Sequence, residues 1–231
     1  MAKLGDRTIS PAVEDYLKTI YVLQQELPAV TTTAIAERLE FAAPSVTNML
    51  KKLADLHLVH YTPYQGVELT TAGEKIALEV IRHHRLLELY LIEALGYSWD
   101  QVHDEADRLE HVISEQFEER IDIALGRPTL DPHGDPIPGK DGSLPLTEEA
   151  RLVDMEVGQS AVIARVAGGA DVLRYVASLG LLPQVTVRLL DRAPFNGPLT
   201  VQVGEEKHAL GREAAGYIFV TPLALPADIE K

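Results

Sequence analysis

The chain contains no cysteine in 231 residues. That excludes disulfides, thiolate metal ligands and iron–sulfur clusters. No apolar run approaches the ~20 residues of a membrane span, and the first ten residues hold no stretch that reads as a signal peptide. A cytoplasmic protein with no membrane partner is expected. A Gly-rich phosphate loop, a nucleophile elbow and an HExxH zinc-protease pattern are all missing, so no enzyme class is signalled. Basic residues are scarce, with 21 Lys and Arg against 35 Asp and Glu and a formal net charge of −14. Taken over the whole chain, that balance speaks against nucleic-acid binding.

The acidity is unevenly spread. Between Asp100 and Asp122 nine acidic residues face only Arg108 and Arg120. Between Pro28 and Lys75 five acidic residues (Glu37, Glu40, Asp55, Glu68, Glu74) are nearly balanced by Arg38, Lys51, Lys52 and Lys75. In the acidic stretch, His103, Asp107, Glu110 and His111 stand at i, i+4, i+7 and i+8. On a single helix they fall within an arc of about 100°. Val102, Ala106, Leu109, Ile113 and Phe117 make an apolar stripe beside them. His84 and Glu88, again at i, i+4, lie on an upstream helix. Nitrogen and oxygen donors on facing helices suit a divalent transition metal. Without thiolates the set favours Mn²⁺ or Fe²⁺, although Zn²⁺ would also bind. The competing reading, a solvated acidic face with two chance histidines, accounts for one i, i+4 pair better than for the whole set.

The spacing divides the chain into three folded parts, an expected multidomain fold. Ser10-Pro11 reads as the cap and first residue of a helix whose inward positions are Val13, Leu17 and Ile20. A short helix follows Thr31-Thr32-Thr33. Pro44 opens another, with Val46, Leu50 and Leu53 inward. Two strands flank Pro63-Tyr64-Gln65-Gly66 as a hairpin. This order is that of a winged helix-turn-helix over residues 1–74. Thr71 and Glu74 have capping-box spacing and open a long helix to about Ala94. Ser98 caps the next segment, which reaches Leu125-Gly126 as one or two helices. Residues 75–126 therefore form an all-α domain for metal binding. Residues 127–148 hold five prolines and three glycines and read as a linker. In such a loop His133, with Asp131 and Asp135, is not read as a ligand cluster. Residues 149–231 carry five short strand patterns and one helical segment, a small β-barrel.

On the third helix Thr47, Asn48, Lys51 and Lys52 lie opposite the apolar stripe, with Ser45 at its edge. Hydroxyl, amide and ammonium groups are those that reach base edges and phosphates. Asn48 is the candidate for base readout, and Lys51 and Lys52 for phosphate contact. Tyr64 and Gln65, in the wing, are candidates for the backbone.

The segment from Val102 to Val112, VHDEADRLEHV, resembles the metal-binding helix of the diphtheria toxin repressor and manganese transport regulator family. Glu14–Tyr21, Pro44–Leu50, Leu69–Gly73 and His83–Glu88 resemble the same family, and Leu173–Pro183 resembles its SH3-like domain. The resemblance implies a homodimeric, metal-activated repressor of operator DNA that controls metal homeostasis and is not an enzyme. That residues 75–126 are also the dimerisation domain is implied only by this resemblance. It implies a primary metal site of Asp15, Asp107, Glu110 and His111. An ancillary site is implied on His84, Glu88 and His103, completed by Asp171. Spacing alone does not point to Asp15. Asp107 stands where iron-sensing members carry cysteine, and Asp15 matches manganese sensors, so Mn²⁺ is expected, with iron-dependent repression as the alternative. Lys18 stands where two-manganese sensors place a ligating Glu, which speaks against a closely spaced ion pair. Arg174 replaces an amide-bearing ligand. A metalloenzyme with a helical His/carboxylate site is the rival from another class, but it leaves the winged-helix segment unexplained. A third reading is a winged-helix regulator of an organic ligand with a structural metal.

Overall fold

The computed structural model describes residues 3–4, 7–63, 65–145 and 149–223. Tyr64 lies outside the described residues. Two compact units are formed, one of residues 1–87, 106–127 and 137–144, the other of residues 88–105, 128–136 and 145–231.

The first unit begins with two short paired strands, β1 (Lys3–Leu4) and β2 (Arg7–Thr8). Helix α1 (Pro11–Glu26) buries Val13, Tyr16, Leu17, Ile20 and Leu23, a helical period. Helix α2 (Thr32–Leu39) is capped by Thr31, whose hydroxyl accepts from the Ala34 amide. Helix α3 (Ala43–Asp55) carries proline in its first turn and turns Val46, Leu50 and Leu53 into the core. Strands β3 (Val59–Thr62) and β4 (Gly66–Leu69) pair antiparallel as the wing. These elements share one apolar cluster running from Ile9 to Ala77, the architecture expected from their order.

Helix α4 (Thr71–Leu95) follows. Its cap differs from expectation. The Thr70 hydroxyl, not that of Thr71, accepts from a first-turn amide, that of Gly73, and donates to the His57 carbonyl. The frame is shifted because the helix start lies against the His57 and Leu58 carbonyls, just before β3. A Cβ at Gly73 would lie 2.0 Å from the Leu58 carbonyl oxygen. Alanine normally stabilises a helix interior relative to glycine. Here Gly73→Ala is expected to destabilise by about 1–3 kcal/mol, read as a lower urea midpoint.

Helix α5 (Val102–Leu109) and helix α6 (Glu115–Ala124) are the two-helix form of the segment allowed for above. The Ser114 hydroxyl accepts from the Phe117 amide and starts α6 afresh. The buried face of α6 is Glu118 and Ile121, so the α5 stripe does not continue and Phe117 is exposed. Arg82 of α4 is buried. It donates to Glu118 at 2.6 Å, pairs with Asp122 at 3.2 Å and donates to the Pro138 carbonyl at 2.8 Å.

In the second unit, strands β5 (Ala150–Arg151), β6 (Ser160–Val166), β7 (Thr186–Arg192), β8 (Leu199–Val203), β9 (Glu206–Leu210) and β10 (Ile218–Pro222) form one antiparallel sheet in the order β5-β10-β6-β7-β8-β9. Register shifts in the β10–β6 and β7–β8 pairs bend it. Helix α7 (Ala170–Ser178) adds Leu173 and Val176 to the core, and a short helix α8 (Arg212–Gly216) precedes β10. Five of these strands are those read from the sequence; the two-residue β5 has too little pattern to find.

Among its described residues the Pro/Gly segment has no named helix or strand, yet it is not a free tether. Within the second unit, the His133 carbonyl accepts from the Val166 amide and the Pro132 carbonyl accepts from the Trp99 indole. A Cβ at Gly134, whose φ is +89°, would lie 2.1 Å from the Ala164 carbonyl oxygen.

Candidate metal centre and nucleic-acid face

Helix α5 ends at Leu109, so Glu110 and His111 sit on the turn that joins α5 to α6. The four residues assigned above to one helix face divide between partners: Asp107 and Glu110 meet at His84 and Lys18, whereas His103 reaches Glu88 and His111 reaches Asp15. The turn is held from α4, where His83 Nδ1 lies 3.1 Å from the Glu110 carbonyl. It brings His111 to α1. His111 Nε2 is 2.9 Å from Asp15 Oδ1 and 3.5 Å from Glu110 Oε1. His111 Nδ1 is 2.6 Å from Glu14 Oε2.

Asp15, Glu110 and His111 thus place one carboxylate oxygen each and a ring nitrogen within 4.8 Å of one another. Two oxygens and an imidazole nitrogen fit a borderline-hard divalent ion. Glu14, buried on the far side of the ring, is the group that fixes the imidazole's tautomer and orientation, as carboxylates do behind metal-bound histidines. Burial would lower the His111 pKa, but the hydrogen bonds to Asp15 and Glu14 and the charge of Glu110 push it up to about 9. The metal-free ring is therefore charged near neutral pH, and a bound ion would displace that proton. Spacing could not find Glu14: it is an acidic residue on an exposed-looking helix, and only the tertiary fold buries it.

A second donor group shares Glu110. His84, Asp107 and Glu110 also have ligand atoms within 4.8 Å. His84 Nδ1 is 2.5 Å from Glu110 Oε2 and 3.2 Å from Asp107 Oδ1. Asp107 is thus brought to His84 and Glu110, rather than to Asp15 and His111. Lys18 of α1 lies among them. Its ammonium donates to Asp107 at 2.9 Å and to both oxygens of Glu110 at 3.0 and 2.8 Å, and it is 3.2 Å from His84 Nδ1. Burial would lower its pKa, but the charges of Glu110 and Asp107 hold it above the usual lysine value.

In the second unit, Glu88 is buried and its two oxygens serve two histidines. Oε1 is 3.0 Å from His103 Nδ1 and Oε2 is 3.4 Å from His133 Nδ1. Glu88, Asp131 and His133 form a fully buried donor group. His133 Nε2 donates to the Trp99 carbonyl at 3.1 Å, and its ring packs on the Trp99 ring. Burial would lower the His133 pKa; the hydrogen bond and charge of Glu88 raise it to about 9. The sequence reading set His133 aside in a stretch whose composition spells loop; the fold places it in this buried group. Asp171, by contrast, is 98% exposed and pairs with Arg174 at 3.2 Å, while Arg174 also reaches Asp100. Among the described residues Asp171 joins none of these donor groups.

On α3, Ser45, Asn48, Lys51 and Lys52 are exposed, opposite the buried Val46, Leu50 and Leu53. Thr47 is half-buried and its hydroxyl donates to the Ala43 carbonyl, one turn back. Gln65 in the wing is exposed.

Comparison with known proteins agrees with this anatomy. Residues 8–67 match the family model described as iron dependent repressor, N-terminal DNA binding domain. Residues 70–139 match iron dependent repressor, metal binding and dimerisation domain, and residues 150–222 match the FeoA domain. The chain is 34% identical over 215 residues to the iron-dependent repressor IdeR of Mycobacterium leprae, covering 87% of this chain and 93% of that protein. Among solved structures, a manganese-dependent transcriptional repressor in complex with manganese superposes with a TM-score of 0.86 at 39% identity, covering 91% of this chain and all of that one. The manganese regulator SloR superposes with a TM-score of 0.80 at 32% identity, covering 93% of this chain and all of its own.

Proposed function

This chain belongs to the iron-dependent repressor family of metal-dependent transcriptional repressors, and we propose that it is a manganese-responsive member that binds operator DNA as a metal-loaded homodimer and controls metal homeostasis. One observation carries the reading. Asp15, on the first helix of the DNA-binding segment, meets Glu110 and His111, on the α5–α6 turn of the metal-binding segment. Asp15, Glu110 and His111 hold the ion, with Glu14 orienting His111. A divalent ion supplies there the positive charge that lets two carboxylates and an imidazole share one point. The three residues then tie α1, and the α3 it packs with, to the segment that dimerises, which sets two recognition helices at the spacing of successive major grooves.

Glu88, Asp131 and His133 form a second centre, with His103 on the other oxygen of Glu88. His84 and Asp107 also lie in the α1 cluster, and Asp171 pairs with Arg174. Manganese is favoured over iron because every donor is a carboxylate or imidazole and none is sulfur. An iron-dependent repressor is the second reading, supported by the likeness to IdeR. No reaction on a substrate is required, so the protein is not an enzyme, and its work on DNA places it in the cytoplasm. No helix among the described residues is long and apolar enough to cross a membrane. Anaerobic titration of operator binding with Mn²⁺ and with Fe²⁺ tests the choice of ion; activation by Mn²⁺ at least equal to that by Fe²⁺ is expected, and strong Fe²⁺ with weak Mn²⁺ activation would reverse it.

The DNA face is tested separately. Asn48→Ala is expected to cost about 1–3 kcal/mol of specific operator affinity and to relax discrimination at its base. Lys51→Ala should weaken all sequences alike and reduce the salt slope by about one. Fluorescence anisotropy on operator and scrambled duplexes at several salt concentrations separates the two effects.

A further inference from the structure

The α1 cluster has two adjoining donor groups that share Glu110: Asp15, Glu110 and His111, and His84, Asp107 and Glu110. Among the described residues, the second group encloses a cation that is not itself one of its metal donors. The Lys18 ammonium is within 2.8–3.2 Å of every member of that group. Lys18 and Asp15 are three residues apart on α1, so one turn of helix presents a carboxylate to the first group and an ammonium to the second. Glu110 is almost fully buried and bonded to Lys18 through both oxygens. A buried carboxylate without a counter-charge is costly, and three donors of this chemistry would otherwise accept a divalent ion.

We propose that the Lys18 ammonium is a resident cation filling a latent second metal position formed by His84, Asp107 and Glu110, so that the α1 cluster accepts one divalent ion where its donor set could hold two. The inference rests on the reading that Asp15, Glu110 and His111 hold an ion. Its consequence is that half of the cluster is assembled at all metal concentrations. Lys18 ties α1 to His84 on α4 and to the α5–α6 turn without any ion, and only the Asp15 half answers to metal.

The test counts ions and asks whether they are neighbours. Glu88→Gln with His133→Ala silences the donor group of the second unit and serves as the background. In that background the chain with Lys18 is expected to bind a single Mn²⁺ per protomer, with the electron paramagnetic resonance spectrum of an isolated ion. Lys18→Ala and Lys18→Glu should each bind a second Mn²⁺, and the spectrum should become that of a coupled pair bridged by Glu110. Lys18→Arg should stay at a single ion. Urea midpoints of all variants report folding independently of metal. If the Lys18→Ala and Lys18→Glu chains remain folded yet bind no second ion, or if the Lys18 chain already holds a coupled pair, the inference is wrong. If the Lys18 chain binds no Mn²⁺ that Asp15→Ala removes, the underlying Asp15–Glu110–His111 reading fails, and this inference with it.

Discussion

Replacing Glu110 by Gln is expected to abolish metal-dependent operator binding while leaving the fold intact. Glu110 is the one side chain common to both donor groups of the α1 cluster. It faces His111, His84 and Lys18 at once. The amide keeps the volume but removes the charge and half of the acceptor capacity. The loss of Mn²⁺ affinity should exceed the roughly 10–100-fold caused by removing a group that merely orients a ligand. Calorimetric Mn²⁺ titration and operator anisotropy should fail together. A Glu110→Gln chain that still bound operator tightly, and only with Mn²⁺, would remove Glu110 from the site.

The second large effect is on stability. Arg82→Met should destabilise the protein by about 3–5 kcal/mol, because it strands two carboxylates. Glu118 is almost wholly buried and Asp122 mostly so, and both face the guanidinium. Methionine fills the space of the stem and leaves the charges. The same cluster gives a pH signature. Burial would raise the Glu118 pKa, but the ion pair with His83, the hydrogen bond from Arg82 and the charge of Arg82 hold it at about 2, well below the ordinary glutamate value of 4.5. Its contribution is therefore complete above about pH 4.5 and is lost as pH falls toward 2. Adding Glu118→Gln to Arg82→Met should recover part of the loss, since the two act on one contact. Urea unfolding of both variants at neutral and acid pH measures this. An Arg82→Met chain within a few tenths of a kcal/mol of the parent would show that the network does not stabilise the fold.

The winged-helix order was legible because its signals are local: proline in the first turns of α1 and α3, Thr31 at its cap, apolar positions at helical spacing, and a turn between two short apolar runs. The signals failed where tertiary contacts decide. Thr71 and Glu74 offered a capping box, but the approach of the Leu58 carbonyl to Gly73 selects Thr70 as the cap. The polar run from His103 to His111 contains no Gly or Pro to mark the end of α5 at Leu109, and spacing alone does not say which donors meet: Asp107 and Glu110 do, while His103 and His111 go to Glu88 and Asp15. Asp15 came only from family resemblance, and Glu14 from neither route. His133 was dismissed because Pro and Gly surround it, whereas the fold packs that loop on β6 and buries the ring beside Trp99. Lys18 was legible as a missing ligand but not as a positive charge seated among His84, Asp107 and Glu110.

On the function proposed above, ion binding at Asp15, Glu110 and His111 and operator binding by α3 stabilise the same arrangement. Such coupling is reciprocal and is commonly about 5–150-fold. The direct measurement is the Mn²⁺ dissociation constant with and without saturating operator, beside the operator dissociation constant with and without saturating Mn²⁺. Both are expected to fall by the same factor, and Asp15→Ala should reduce that factor toward one. Equal Mn²⁺ affinities in the presence and absence of operator would contradict it.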